Sequence, residues 1–128
     1  MPTPDFDLRP ILLIVDDDPE VLKALAFMTD ARGFRVERCR TAREAIALAD
    51  PNTRFACLVI DQRLPDHQGI DLLTMLRSRG VAAPAVMITT GPSTDLRRKA
   101  AAAGAPIVEK PLLDDALFTQ IRRLMARD

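Results

Sequence analysis

The chain has no tryptophan and no tyrosine, and its only aromatic side chains are Phe6, Phe27, Phe34, Phe55 and Phe118. No Phe, Tyr or Trp lies between Phe55 and Phe118. Cysteine is scarce too. Cys39 and Cys57 are too few for a disulfide framework and lack CxxC spacing, and Cys57, at the head of an apolar run, reads as a core thiol. The one histidine, His67, stands in a polar loop and reads as a surface residue. No Cys/His or Ser/His/Asp arrangement is present for nucleophilic catalysis, and no P-loop or GxGxxG cradles a nucleotide.

Charge of one sign is lacking as well. Lysine plus arginine equals aspartate plus glutamate at 18 each, so nothing global points to nucleic acid or a membrane surface. No apolar run approaches a bilayer span, and no charged-apolar-small leader opens the chain. The expectation is a cytoplasmic protein with no membrane and no direct nucleic-acid partner. A chain of 128 residues, 48% of them hydrophobic, is one ordinary domain with a real core, not a disordered segment. Residues 1–8 read as a loose tail and 9–128 as the domain.

What is present begins with Ile11-Leu12-Leu13-Ile14-Val15, an apolar run that reads as a strand buried on both faces. It leads straight into Asp16-Asp17-Asp18. Neighbouring carboxylates repel by about 4 kcal/mol per pair at ~4 Å with an effective dielectric near 20. Such a cluster calls for a divalent cation, a lysine or both. Asp18, before Pro19, is better read as a helix cap.

Strand and helix then alternate. Pro19 to Arg32 carries the stripe Val21, Leu22, Leu25 and Met28 and stops at Gly33. Phe34 to Cys39 alternates with period two, as an edge strand does. Thr41-Ala42-Arg43-Glu44 is a capping box opening a helix that Pro51 ends. Phe55 to Ile60 is a second buried strand, stopping at Asp61, and a loop from Gln62 to Gly69 leads to a helix over Ile70 to Arg79. Ala85 to Ile88 ends at Thr89-Thr90-Gly91. Pro92 and Ser93 begin a helix, and Ile107-Val108 runs into Glu109-Lys110-Pro111. The last helix is expected to carry Asp114 and Asp115 in its first turn and Arg122, Arg123 and Arg127 late, matching the helix dipole, with Leu117, Ile121, Leu124 and Met125 inward. Five strand–helix units with short connections imply a single α/β domain, a parallel sheet with helices on both faces.

In such a sheet the C-terminal strand ends share one rim, where ligands bind. The rim receives Asp16 and Asp17, Asp61, Thr89 and Lys110. Carboxylates bind a hard cation such as Mg2+, a lysine neutralises phosphate charge, and a threonine hydroxyl donates to a phosphoryl oxygen. Aspartates also form acyl phosphates. Asp61 is the best nucleophile, because the flanking acids can take the metal.

Ile14-Val15-Asp16-Asp17-Asp18, Val59-Ile60-Asp61 with Leu64-Pro65-Asp66 and Gly69, Met87-Ile88-Thr89, and Glu109-Lys110-Pro111, in that order, resemble the receiver domains of bacterial two-component response regulators. The likeness runs from Arg9 to Met125. It implies a flavodoxin-like, three-layer fold with a five-stranded sheet ordered 2-1-3-4-5. It implies that Asp61 accepts a phosphoryl group from a histidine kinase or histidine phosphotransfer protein. Asp17, Asp61 and the Arg63 backbone carbonyl would bind Mg2+, with Asp16 acting through water. Thr89 and Lys110 would contact the phosphoryl oxygens, and Lys110-Pro111 would be a cis bond. The chain would be a phosphoacceptor with self-catalysed transfer and autodephosphorylation, not a turnover enzyme. Its signal would pass through the fourth helix and last strand to a partner, a homodimer formed on phosphorylation being one candidate.

Two departures stand out. Where the family places Tyr or Phe as a rotameric switch this chain has Ile107, and Thr90 stands where the family keeps a small residue, so switching would run through Thr89, Thr90 and Ile107 without a ring. The helix after Ser93 holds one large apolar residue, Leu96, beside Arg97-Arg98-Lys99, and is expected to be weakly held. Two other readings remain open. Asp16-Asp17-Asp18 contains the D-x-D of haloacid dehalogenase-like phosphatases, but without the small-residue turn and with Asp61 unexplained. A degenerate receiver would bind proteins without phosphorylation. Ending at Asp128, the chain suits a stand-alone receiver and the front of a longer regulator alike.

Overall fold

The central strands are apolar because both of their faces are covered, and the edge strand at Arg35–Cys39 is polar because it is only partly covered. The computed structural model describes residues 7–112 and 114–126, and in it β1 (Ile11–Val15), β2 (Arg35–Cys39), β3 (Phe55–Asp61), β4 (Ala85–Thr89) and β5 (Ile107–Glu109) form one parallel sheet ordered β2-β1-β3-β4-β5. Between and after them lie α1 (Pro19–Ala31), α2 (Ala42–Leu48), α3 (Gly69–Ser78), α4 (Thr94–Ala102) and α5 (Ala116–Met125). Strand side chains alternate between two cores. Leu12, Ile14, Cys57, Val59, Val86 and Ile88 pack with α1 and α5. Leu13, Val15, Leu58, Ile60 and Met87 pack with α2, α3 and α4. This is the expected three-layer fold, with β2 on the expected edge.

Local signals place the helices. Asp18 Oδ1 accepts the Glu20 N–H at 2.9 Å, so Asp18 caps α1 as its position before Pro19 implied. Thr41 Oγ1 accepts the Glu44 N–H at 3.0 Å, the forward half of the expected capping box. Ser93 caps α4 through the Leu96 N–H, so the helix begins at Thr94, just after the Pro92-Ser93 start read from sequence. Between β1 and β3 the register shifts at Ile11/Leu12, which no local pattern signals.

The start of α5 needs correction. Asp114 and Asp115 precede the helix rather than fill its first turn. Asp114 Oδ1 accepts the Ala116 N–H at 2.9 Å, and Asp115 pairs with Arg32 at 3.2 Å. A carboxylate that caps must sit before the first turn, because its acceptor has to face the free N–H groups. Arg122 and Arg123 do occupy the last turn. Arg127 and residues 1–6 of the expected loose tail lie outside the described residues. At the near end of that stretch Leu8 is exposed, while Asp7 is bonded by Arg9, which also reaches Asp30 on α1 at 2.6 Å. The Arg9 hydrogen bonds draw the Asp7 carboxyl down to about 2.

Candidate functional site

The rim where the strands end is knit together one residue past the strands themselves. The Asp16 N–H donates to the Cys39 carbonyl at 3.0 Å, Gln62 N–H to Ile88 at 2.9 Å, and Lys110 N–H to Thr89 at 2.8 Å. Side chains from β1, β3, β4 and the β5 exit are thereby held at one level.

Asp16, Asp17 and Asp61 each bring a carboxylate oxygen within 4.8 Å of the others. Asp16 is fully buried, Asp61 nearly so, and Asp17 open to solvent. Lys110 Nζ lies 3.0 Å from Asp16 Oδ2 and 3.2 Å from Asp61 Oδ2. Only the contact with Asp61 has hydrogen-bond geometry. Asp16 Oδ1 accepts the Asp18 N–H at 2.9 Å, whereas the buried Oδ2 has no hydrogen bond among the described residues. Three carboxylates thus face one ammonium, a net charge of −2 if all ionise. A surplus of carboxylate and a buried oxygen without a hydrogen bond are what a hard divalent cation relieves, so the donor set fits magnesium.

The electrostatics follow from that crowding. Burial, then the charge of Asp16, pushes the Asp61 carboxyl above its ordinary range, against the pull of Lys110 and the Arg63 N–H. Burial works to lower the Lys110 pKa, but pairing with Asp16 and Asp61 outweighs it and raises the ammonium above its usual value. The thiols take no part. Burial pushes Cys57 up to about 12 and Cys39 to about 11.

The other expected residues surround this cluster. Thr89 is buried at the end of β4, and Thr90 beside it is exposed. A groove of about 450 Å³ runs between Arg63, Thr89, Thr90 and Ser93. On the other side, Val21, Leu25 and Met28 of α1 and residues Lys110 to Leu112 line an apolar groove of about 540 Å³. The Lys110-Pro111 bond is cis. Arg63 turns its N–H toward Asp61 Oδ1 at 3.4 Å. Ile107 is half-buried where β5 begins, away from the rim, in a shallow groove with Arg97 and Ala100. His67 is exposed, as expected. Asp18, the second acid of the D-x-D, is spent on capping α1, which removes the phosphatase reading's proton donor from the cluster.

Three residues that sequence reasoning did not assign to the site hold its loop. A Cβ on Gly69 would lie 2.2 Å from the Asp61 carbonyl oxygen, so no other residue fits without displacing the backbone of Asp61. Gln62 accepts the Gly69 N–H through its carbonyl at 2.8 Å and the Ile70 N–H through Oε1 at 2.9 Å. It thereby supplies the cap that Gln68 does not give α3. Asp66 accepts from the N–H groups of Ala42 and Arg43, both at 2.9 Å. The glycine at a helix start was a visible signal. The partners of Gln62 and Asp66 are too distant in sequence to leave one.

Comparison with known proteins decides the family. A model of the response regulator receiver domain matches residues 12–122. The chain belongs to that family. Over 111 residues this receiver is 37% identical to the transcriptional regulatory protein FixJ of Rhizobium meliloti, covering 86% of the receiver and 54% of FixJ. It is 31% identical over 125 residues to the C4-dicarboxylate transport transcriptional regulatory protein DctD of Pseudomonas aeruginosa, covering 97% of the receiver and 27% of DctD. The receiver therefore spans about half, or less, of the length of these relatives. Among solved structures, the non-phosphorylated HemR receiver domain from Leptospira biflexa superposes with a TM-score of 0.86 at 28% identity, over 94% of this chain and 97% of that one. A CheY-like receiver from Methanospirillum hungatei gives 0.84 at 28% identity, over 92% and 94%.

Proposed function

We propose that this receiver accepts a phosphoryl group on Asp61 from a phosphohistidine of a histidine kinase or phosphotransfer protein. The observation that carries the reading is the placement of Lys110 within 3.2 Å of both Asp16 and Asp61, beside three carboxylate oxygens gathered within 4.8 Å. A carboxylate oxygen of Asp61 attacks phosphorus, the P–N bond breaks, and the imidazole leaves with the bonding pair. An acyl phosphate remains on Asp61. Lys110 neutralises charge on the phosphoryl oxygens, and the Thr89 hydroxyl donates to one of them. Catalysis is positioning and charge neutralisation.

Asp17, Asp61 and the Arg63 carbonyl would hold Mg2+, with Asp16 acting through a water. The ion supplies positive charge where a group bearing about two negative charges arrives among carboxylates. Phosphorylation then shifts α4 and β5 through Thr89, Thr90 and Ile107. The surface so altered meets a partner or a second copy of the chain.

Incubation with a small phosphodonor and Mg2+, read by intact mass, tests the proposal. Wild type gains one phosphoryl group, chelation of the metal abolishes the gain, and Asp61→Asn shows none. An unmodified wild type, or an Asp61→Asn variant labelled as well as wild type, contradicts it.

A further inference from the structure

We propose that Asp66 is a positioning residue that fixes where the Arg63 carbonyl stands for magnesium; this rests on the reading of that carbonyl as a ligand. The β3–α3 loop is closed at its neck, where Arg63 pairs with Gln68 and Gln62 holds Gly69 and Ile70. A closed neck alone leaves the tip free to pivot. Two contacts stop it: Leu64, half-buried against the core, and Asp66, whose two oxygens each take one amide N–H of α2 at 2.9 Å. Charge-assisted hydrogen bonds of this fork type fix direction as well as distance. Pro65, between these anchors, has its φ set by its ring and transmits the constraint along the loop.

The anchor lies where it can matter. Asp17, Thr41, Glu44 and Pro65 line one notch beside the acidic cluster, so the start of α2 borders the site. Helix α2 has its own cap in Thr41, which takes the Glu44 N–H. Capping α2 and holding the loop can therefore be separated by mutation. A group that orients a metal ligand without touching the metal commonly changes affinity by tenfold or more.

The test is a magnesium titration of the full chain followed by amide chemical shifts, with hydrogen exchange over residues 62–68 measured without metal. Asp66→Ala is expected to weaken magnesium binding about tenfold and to speed exchange in the loop. Asp66→Asn, with one acceptor oxygen for two N–H groups, falls between it and wild type. Thr41→Ala loosens the same helix end but keeps wild-type affinity and loop exchange. Equal affinity for Asp66→Ala and wild type overturns the inference, as does an equal loss in Thr41→Ala. If Asp66→Ala does not fold, the Asp66→Asn and Thr41→Ala pair decides in the same way. A wild type that binds no magnesium overturns the site reading and this inference together; a wild type that binds while Asp66→Ala is unaffected overturns the inference alone.

Discussion

At the scale of single residues, the chemistry is built by side chains that could be read from sequence and held by some that could not. Asp16, Asp17, Asp61 and Lys110 each follow an apolar run, and a parallel sheet brings such positions to one rim. Gly69 is different. Its lack of a Cβ is demanded by the Asp61 carbonyl oxygen, which a Cβ there would approach to 2.2 Å, a crowding fixed by tertiary packing. Gly69→Ala should therefore push on the acceptor strand, lowering stability by about 1–3 kcal/mol and slowing phosphorylation; urea melts and mass kinetics check both. Asp66 gives a pH prediction. Desolvation works to raise its carboxyl, but the N–H groups of Ala42 and Arg43 outweigh it and hold the group below its ordinary value. A depressed carboxyl contributes stability that is present above the unfolded value of about 4 and is lost as pH falls through the folded one. Asp66→Asn should flatten the acid limb of stability against pH, seen in urea midpoints taken across that range.

At the scale of elements, the two ends of the chain's helical order contrast. Helix α5 buries Leu117, Phe118, Ile121 and Leu124, and the Arg32 guanidinium lies 4.1 Å above the Phe118 ring. Phe118 did not figure in the inward stripe read from sequence, although it heads the large side chains that are fully buried. Phe118→Ala should cost about 3–5 kcal/mol, measured by chemical denaturation. Helix α4 buries only Leu96 and Ala100, and its outward face is a charge ladder in which Asp95 pairs with Arg98 and Lys99. So few buried contacts make α4 easy to shift, and β5 beside it is three residues long. Amide exchange across residues 93–108 is expected to change when a phosphate mimic and Mg2+ are added. Unchanged exchange there would remove α4 and β5 from the signal path.

At the scale of the whole molecule, the fold was legible because β1, β3 and β4 are apolar on both faces, β2 alternates as an edge strand does, and the connections are short. The edge position of β2 followed from that alternation, and the strand order from the resemblance to receiver domains. The register shift at Ile11/Leu12 and the loop clamps were not legible, because each depends on partners far away in sequence. The start of α5 was misplaced because acids before a helix and acids in its first turn leave similar patterns. The lack of Phe, Tyr or Trp between Phe55 and Phe118 is a whole-chain property with a mechanical consequence. In the proposed relay, half-buried Ile107, in its groove with Arg97 and Ala100 of α4, offers no aromatic ring to turn.

The central claim is that Asp61, among several crowded aspartates, carries the acyl phosphate. Borohydride reduction of the phosphorylated protein converts an aspartyl phosphate to homoserine, and peptide mapping then finds where it lay. The account predicts homoserine at position 61 and unaltered aspartate at 16, 17 and 18. Homoserine at 16 or 17, or at none of these positions in a protein that has gained a phosphoryl group, would contradict it.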